Sequence, residues 1–345
     1  ELAAEDLWGV FEADPDLGYV PKENAASPNR WWRSNNIGAR SASPTAKAVP
    51  KGKRRVLVFG DSFTNCSRVS QEEAWPHHLN AKGSGVEFVN LGVDGYSMGQ
   101  CLLRYERVRT KADHDAVMLV FVPTEDPWRE VNVYRGLAGW QASPPMPRFI
   151  IKGGILELVR SPYASYEEFR EDNSPVLSSR FIAHERAYDR FYFRTKHESP
   201  PLVGWSVLYN LLARAWYRSA ETALAEGMLS PDSEAVSISL AVIRRMRQTA
   251  EQEGRRFVLV LLPQPEDVER YRSDASFRAS YDGLRSAAGQ GGLVVMDLMG
   301  ELLKASPDDL DRGRDNTHYG SQANKLIAEI LGKESGLWRS LGLLQ

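Results

Sequence analysis

Cysteine is scarce in this chain: Cys66 and Cys101 are the only two among 345 residues. Two thiols cannot build a disulfide framework or the usual zinc site, which leaves one bridge or two free thiols. Long hydrophobic runs are missing as well. A membrane-crossing helix needs a stretch of roughly 18 apolar residues, and the chain has none. Nor is there an excess of either charge. Lys and Arg total 43 against 45 Asp and Glu, giving a net charge of −2 and a pI of about 6.4. That balance offers no electrostatic footprint for nucleic acid or an anionic membrane surface. The basic run Lys51, Lys53, Arg54 and Arg55 reads as the solvated lead-in to a strand. What remains, 42% hydrophobic and 26% charged, is an ordinary globular composition, ample for a sizeable core.

Val56-Leu57-Val58-Phe59 reads as a buried parallel strand. Gly60 permits a tight turn at its end, and Asp61-Ser62-Phe63-Thr64 then opens a helix. A hydroxyl there lies beside exposed backbone N–H groups and the positive end of a helix, where developing negative charge is stabilised. Two readings stay open at this point: an ordinary cap by Asp and Ser, or a nucleophile. Far along the chain, Asp315-Asn316-Thr317-His318 precedes an amphipathic helix start. An Asp three residues before a His can hold the imidazole in the tautomer that a general base requires.

An early Gly-Asp-Ser and a late Asp-x-x-His resemble the first and last blocks of the SGNH (GDSL-type) hydrolase family. The resemblance runs from Asp14-Pro15 to the C-terminal helix and implies a catalytic triad of Ser62, His318 and Asp315. Gly92-Val93-Asp94-Gly95 resembles the second block, so Gly95 is the matching oxyanion-hole position beside the N–H of Ser62. A residue without a side chain allows the backbone to approach a reacting carbonyl closely. The third block departs from the pattern. Where the family has Gly-x-Asn-Asp, this chain has Pro123-Thr124-Glu125-Asp126, and Glu125 replaces an amide donor with a carboxylate, an acceptor only when ionised. Three outcomes stay open: Glu125 is kept protonated by burial, a neighbour substitutes, or hydrolysis is poor. A rival lies in Gly95-Tyr96-Ser97-Met98-Gly99, a G-x-S-x-G match that would recruit Ser97, Asp297 and His318. Against it, Gly92 to Asp94 intervene between the strand end and Ser97.

The predicted fold is α/β: a three-layer α/β/α sandwich around a flavodoxin-like, five-stranded parallel sheet, with an insertion after the third strand. Strands are expected at 56–59, 86–91, 116–122, 257–262 and 293–296. Helices are expected at 72–79, up to Arg109, at 237–253, 266–287 and after His318. Residues 1–50 read as an N-terminal arm packing on the core, with Trp31 and Trp32 as pins, and residues 51–345 as the hydrolase-like domain. Within it, 127–235 reads as an inserted subdomain containing a hairpin over 148–159 and an apolar helix near 208–217. Its aromatics Tyr163, Tyr166, Phe169, Tyr188, Phe191, Tyr192 and Phe193 suit packing better than a ligand cleft. His77, His78, His184 and His197 are expected to be non-catalytic.

The function implied is a serine esterase acting on a small-molecule or glycan ester through an acyl-enzyme, with no cofactor, no metal and no nucleic-acid partner. The alternatives are an O-acyltransferase acting on a polysaccharide, or a catalytically silent glycan- or lipid-binding member because of Glu125. The chain begins at Glu1 rather than Met, which leaves room for a removed signal or anchor, and the resemblance favours an extracytoplasmic location.

Overall fold

The computed structural model describes residues 9–83, 85–134, 144–174, 177–192, 206–333, 338–339 and 342–343. The chain enters through a short antiparallel hairpin, β1 (Phe11–Asp14) and β2 (Gly18–Pro21). The central sheet then forms from β3 (Arg54–Phe59), β4 (Val86–Asn90) and β5 (Ala116–Phe121). A second hairpin follows, β6 (Arg148–Lys152) with β7 (Ile155–Val159). After a helical stretch, β8 (Arg256–Leu261) and β9 (Val295–Asp297) complete the sheet.

The five strands lie in the order β4-β3-β5-β8-β9, every pair parallel. Numbered along the sheet's own sequence order this is 2-1-3-4-5, the flavodoxin-like arrangement. The strands read as continuous apolar runs because helices cover both faces. Every residue of β5 is buried, as are Val56 to Phe59 of β3. The helix Glu234–Gln252 packs on Met98–Val108 and Asp126–Val131, while Ser321–Lys333 packs on Trp75–Ala81. Strand order reverses beside β3, so the crevice for a ligand opens past the carboxyl ends of β3 and β5.

Several boundaries differ from the sequence expectation for local reasons. Residues 72–79 divide into a 3-10 turn at Gln71–Glu73 and a helix at Trp75–Ala81, because Ser70 and Glu73 close a capping box and Pro76 starts the next helix. The single helix expected over 266–287 is two, Pro265–Ser273 and Ala275–Ala288. Asp274 is extended between them, and its side chain caps the second by accepting from Ser276 and Phe277 N–H. The last strand starts two residues late, at Val295.

In the inserted region, Tyr134, Tyr163, Phe169 and Phe181 form a small aromatic core of their own. Phe191 joins the main core. The apolar helix is longer than expected, Val207–Gly227, and much of it faces outward: Leu208, Leu211, Leu212 and Trp216 are all exposed, whereas Tyr217 turns in. Phe193 and His197 lie outside the described residues. Both cysteines are free and buried, and burial pushes the Cys66 thiol up to about 12. No helix among the described residues is long and apolar enough to cross a membrane.

Candidate active site

Ser62 stands where β3 gives way to a one-turn helix, Ser62–Asn65. Asp61 caps that turn by accepting the Phe63 N–H at 2.9 Å. Gly60 must be glycine: a Cβ there would fall 2.2 Å from the Thr64 hydroxyl, in a backbone with φ of +159°. Across 256 residues of sequence, the Ser62 Oγ lies 2.7 Å from His318 Nε2. His318 Nδ1 is in turn 2.6 Å from Asp315 Oδ2. The other oxygen, Oδ1, accepts the backbone N–H groups of His318 and Thr317, both at 3.1 Å. The loop therefore folds around its own carboxylate. Burial works to raise the Asp315 carboxyl, yet the hydrogen bond and charge of His318 and the two N–H groups hold it well below the usual carboxylate range. The Phe63 ring stacks on the imidazole with centroids 4.6 Å apart, fixing its plane.

The loop of Gly95 lies against the same turn. Val93 N–H donates to Gly60 O at 3.0 Å, and Asn65 Nδ2 and the Ser67 hydroxyl both donate to the Asp94 carboxylate. Gly95 has φ of +73°, a left-handed conformation that favours glycine. A Cβ on Gly92 would fall 2.5 Å from the Asn65 backbone nitrogen, so the two loops approach as closely as backbone allows.

Glu125 is not buried away from solvent. Its side chain is 35% exposed and takes a hydrogen bond from Arg129 Nη2 at 3.0 Å. The same guanidinium, almost wholly buried, reaches Asp61 at 2.6 Å and Asp126 at 3.0 Å through Nη1. Burial and the neighbouring Asp61 charge push the Asp126 carboxyl well up, while three carboxylates raise Arg129 against its own desolvation.

The rival constellation does not form. The Ser97 hydroxyl caps the helix Met98–Val108 by accepting from Gln100 N–H at 3.2 Å. Asp297 accepts from the Tyr281 hydroxyl at 2.8 Å and from Arg285. Trp32 pins the N-terminal segment, its indole N–H donating to Asn65 Oδ1 at 3.0 Å, whereas Trp31 is half-buried under the Arg314 guanidinium, 3.8 Å from its ring centre.

Two residues escaped sequence reasoning. Arg129 is spaced i+4 from Glu125 and i+3 from Asp126, a helical pairing pattern that was there to be read. Arg68 donates to Asp315 Oδ2 at 2.8 Å, and no local pattern marks it, since its partner is 247 residues away.

No protein-family model matches this chain, and no curated protein sequence matches it. Solved structures of similar topology include a member of the lipolytic G-D-S-L family from Veillonella parvula, 12% identical over 80% of this chain and 94% of that one, with a TM-score of 0.39. The psychrotrophic esterase EstA from a Pseudoalteromonas species is 10% identical over 84% and 100%, TM-score 0.41. A catalytic mutant of the acetylxylan esterase Axe2 from Geobacillus stearothermophilus is 14% identical over 85% and 97%, TM-score 0.42. With every one of these scores below 0.5, the chemistry of this chain has to be read from its own side chains.

Proposed function

We propose that this protein is a serine ester hydrolase. Ser62 Oγ attacks the ester carbonyl while His318 Nε2 takes its proton, and Asp315 steadies the imidazolium. The backbone N–H groups of Ser62 and Gly95 stabilise the oxyanion. His318 then returns the proton to the leaving alcohol, and a water activated by the same imidazole releases the acid. The substrate class is an O-acyl ester of a small molecule or a glycan. The observation that carries this reading is the unbroken chain from the Ser62 hydroxyl through His318 to Asp315, at 2.7 and 2.6 Å.

A second reading draws on Glu125. Its carboxylate is tied to Arg129 where the resembling family has an amide donor, so a site that binds an ester or glycan without turning it over is the competing possibility. The test is hydrolysis of p-nitrophenyl acetate, with and without a sugar acceptor, together with mapping of a fluorophosphonate adduct. We expect the adduct on Ser62 and a fall of about 10³-fold or more in Ser62→Ala. Acyl transfer that outpaces hydrolysis when sugar is added would redefine the enzyme as an acyltransferase on the same triad. A wild type with neither turnover nor adduct would leave the binding protein standing.

A further inference from the structure

The N-terminal hairpin reaches the heart of the site through one side chain. The Tyr19 hydroxyl, in β2, donates to the backbone carbonyl of Asp94 at 2.5 Å. That carbonyl and the Gly95 N–H belong to one planar trans peptide and point in opposite directions. Whatever fixes the carbonyl therefore fixes the direction of the N–H. A hydrogen bond on the carbonyl also polarises the peptide and strengthens its N–H as a donor.

The surroundings leave this peptide little freedom. On one side, the Asp94 carboxylate is held by Asn65 and Ser67 of the nucleophile turn. On the other, Tyr19 is itself clamped. The Tyr96 hydroxyl, two residues beyond Asp94, donates to the Tyr19 carbonyl. The two rings meet edge to face with centroids 5.4 Å apart, and Phe11 closes on Tyr19 at 5.8 Å. Gln100 Nε2 donates to Leu17 O at 2.7 Å and anchors the hairpin turn to the helix that follows Gly95. The hairpin and the glycine loop thus hold each other, with the phenol aimed at the peptide that matters.

We propose that Tyr19 is a positioning residue for the oxyanion: it orients and polarises the Asp94–Gly95 peptide so that the Gly95 N–H meets the charge that develops on the substrate carbonyl. The inference rests on the serine-hydrolase reading above and on Gly95 as a donor. It makes the N-terminal hairpin part of the catalytic apparatus rather than a packing arm.

Tyr19→Phe keeps the ring and removes only the hydroxyl. In this variant kcat for p-nitrophenyl acetate falls about tenfold, the scale of one lost hydrogen bond, with KM changed less than about twofold. The rate at which a fluorophosphonate labels Ser62 falls by a similar factor, because the phosphoryl oxygen occupies the place of the oxyanion. Ile243→Val, which opens a small cavity under the helix Glu234–Gln252 and away from the hairpin, is the control: it lowers the melting temperature and leaves kcat and labelling unchanged. Full kcat and labelling in Tyr19→Phe would overturn the proposal, as would an equal loss of rate in Ile243→Val at matched stability. Should Tyr19→Phe fold poorly, both rates are read at a temperature well below its melting point, with the same two outcomes. An active wild type, a dead Ser62→Ala and a fully active Tyr19→Phe sink this inference alone, whereas an inert wild type sinks the hydrolase reading and takes this one with it.

Discussion

The ends of β3 and β5 are built alike and put to different use. Each strand runs into a helix through a turn with an Asp whose carboxylate accepts a nearby backbone N–H: Asp61 from Phe63, and Asp126 from Val122. Both carboxylates then meet the same buried guanidinium of Arg129. They part at the neighbouring residue. Ser62, only 6% exposed, offers its hydroxyl to His318, while Glu125, much more open to solvent, spends its carboxylate on Arg129. Exposure therefore does not mark the end that carries the proposed nucleophile. What marks it is which polar group has been paired off: one guanidinium neutralises the acids of both turns and leaves a hydroxyl facing an imidazole.

Arg129 is the element the two ends share, so removing it should blur the comparison most. Arg129→Met leaves Asp61 and Asp126 buried without their cation. A loss of about 3–5 kcal/mol is expected from breaking such a buried pair, read from urea melts, with Arg129→Lys recovering part of it. An unchanged midpoint and slope would mean that the guanidinium does not join the two turns. Next in size comes Glu125→Asn, which gives the β5 end the amide that the resembling family carries there. Hydrolysis of p-nitrophenyl acetate should rise several-fold, up to about tenfold, short of the about 10²–10³ that removing an optimally placed oxyanion donor costs. A large fall would instead assign Glu125 a positive role through Arg129.

The smallest effect concerns Asp267, which braces the β5 turn from the β8 side. It accepts from the Thr124 hydroxyl at 2.6 Å and from Gln264 N–H at 3.1 Å. Burial pushes its carboxyl up to about 7, against those hydrogen bonds and with help from the charge of Glu125. Its folded pKa therefore lies above its unfolded one. The stability this group contributes is complete below about pH 4 and is lost as pH rises through 7. Asp267→Asn, which keeps an acceptor oxygen but cannot ionise, should stabilise the protein by on the order of 1 kcal/mol at pH 8, with the gain shrinking towards pH 5. Melts in which the difference grows towards low pH would contradict the assignment.

The sheet was legible because its strands are buried on both faces, so Val56–Phe59, Ala116–Phe121 and Phe257–Leu261 stand out as unbroken apolar runs. The inserted region was harder. Its hairpin at 148–159 announced itself through the Gly153-Gly154 turn, but the helix Val207–Gly227 turned several of its large apolar residues outward. Apolar content says that a face has a price in water; it does not say what covers it. The N-terminal hairpin was missed because β1 and β2 are four residues each, too short for alternation to show.

Ser62 and the Asp315–His318 pair were also readable, the first from a strand-to-helix turn and the second from three-residue spacing. Local sequence determined those two halves because each is built within a few residues. Tertiary structure alone decided that they meet, since parallel β3 and the loop before the last helix come together only once the whole sheet is laid down. The same holds for Arg129 between two turns, Arg68 on Asp315 and Tyr19 on the Asp94 carbonyl. Each side chain is long, and each partner lies on a different element or a distant stretch of chain, so packing chose between many acceptors that the sequence left equal.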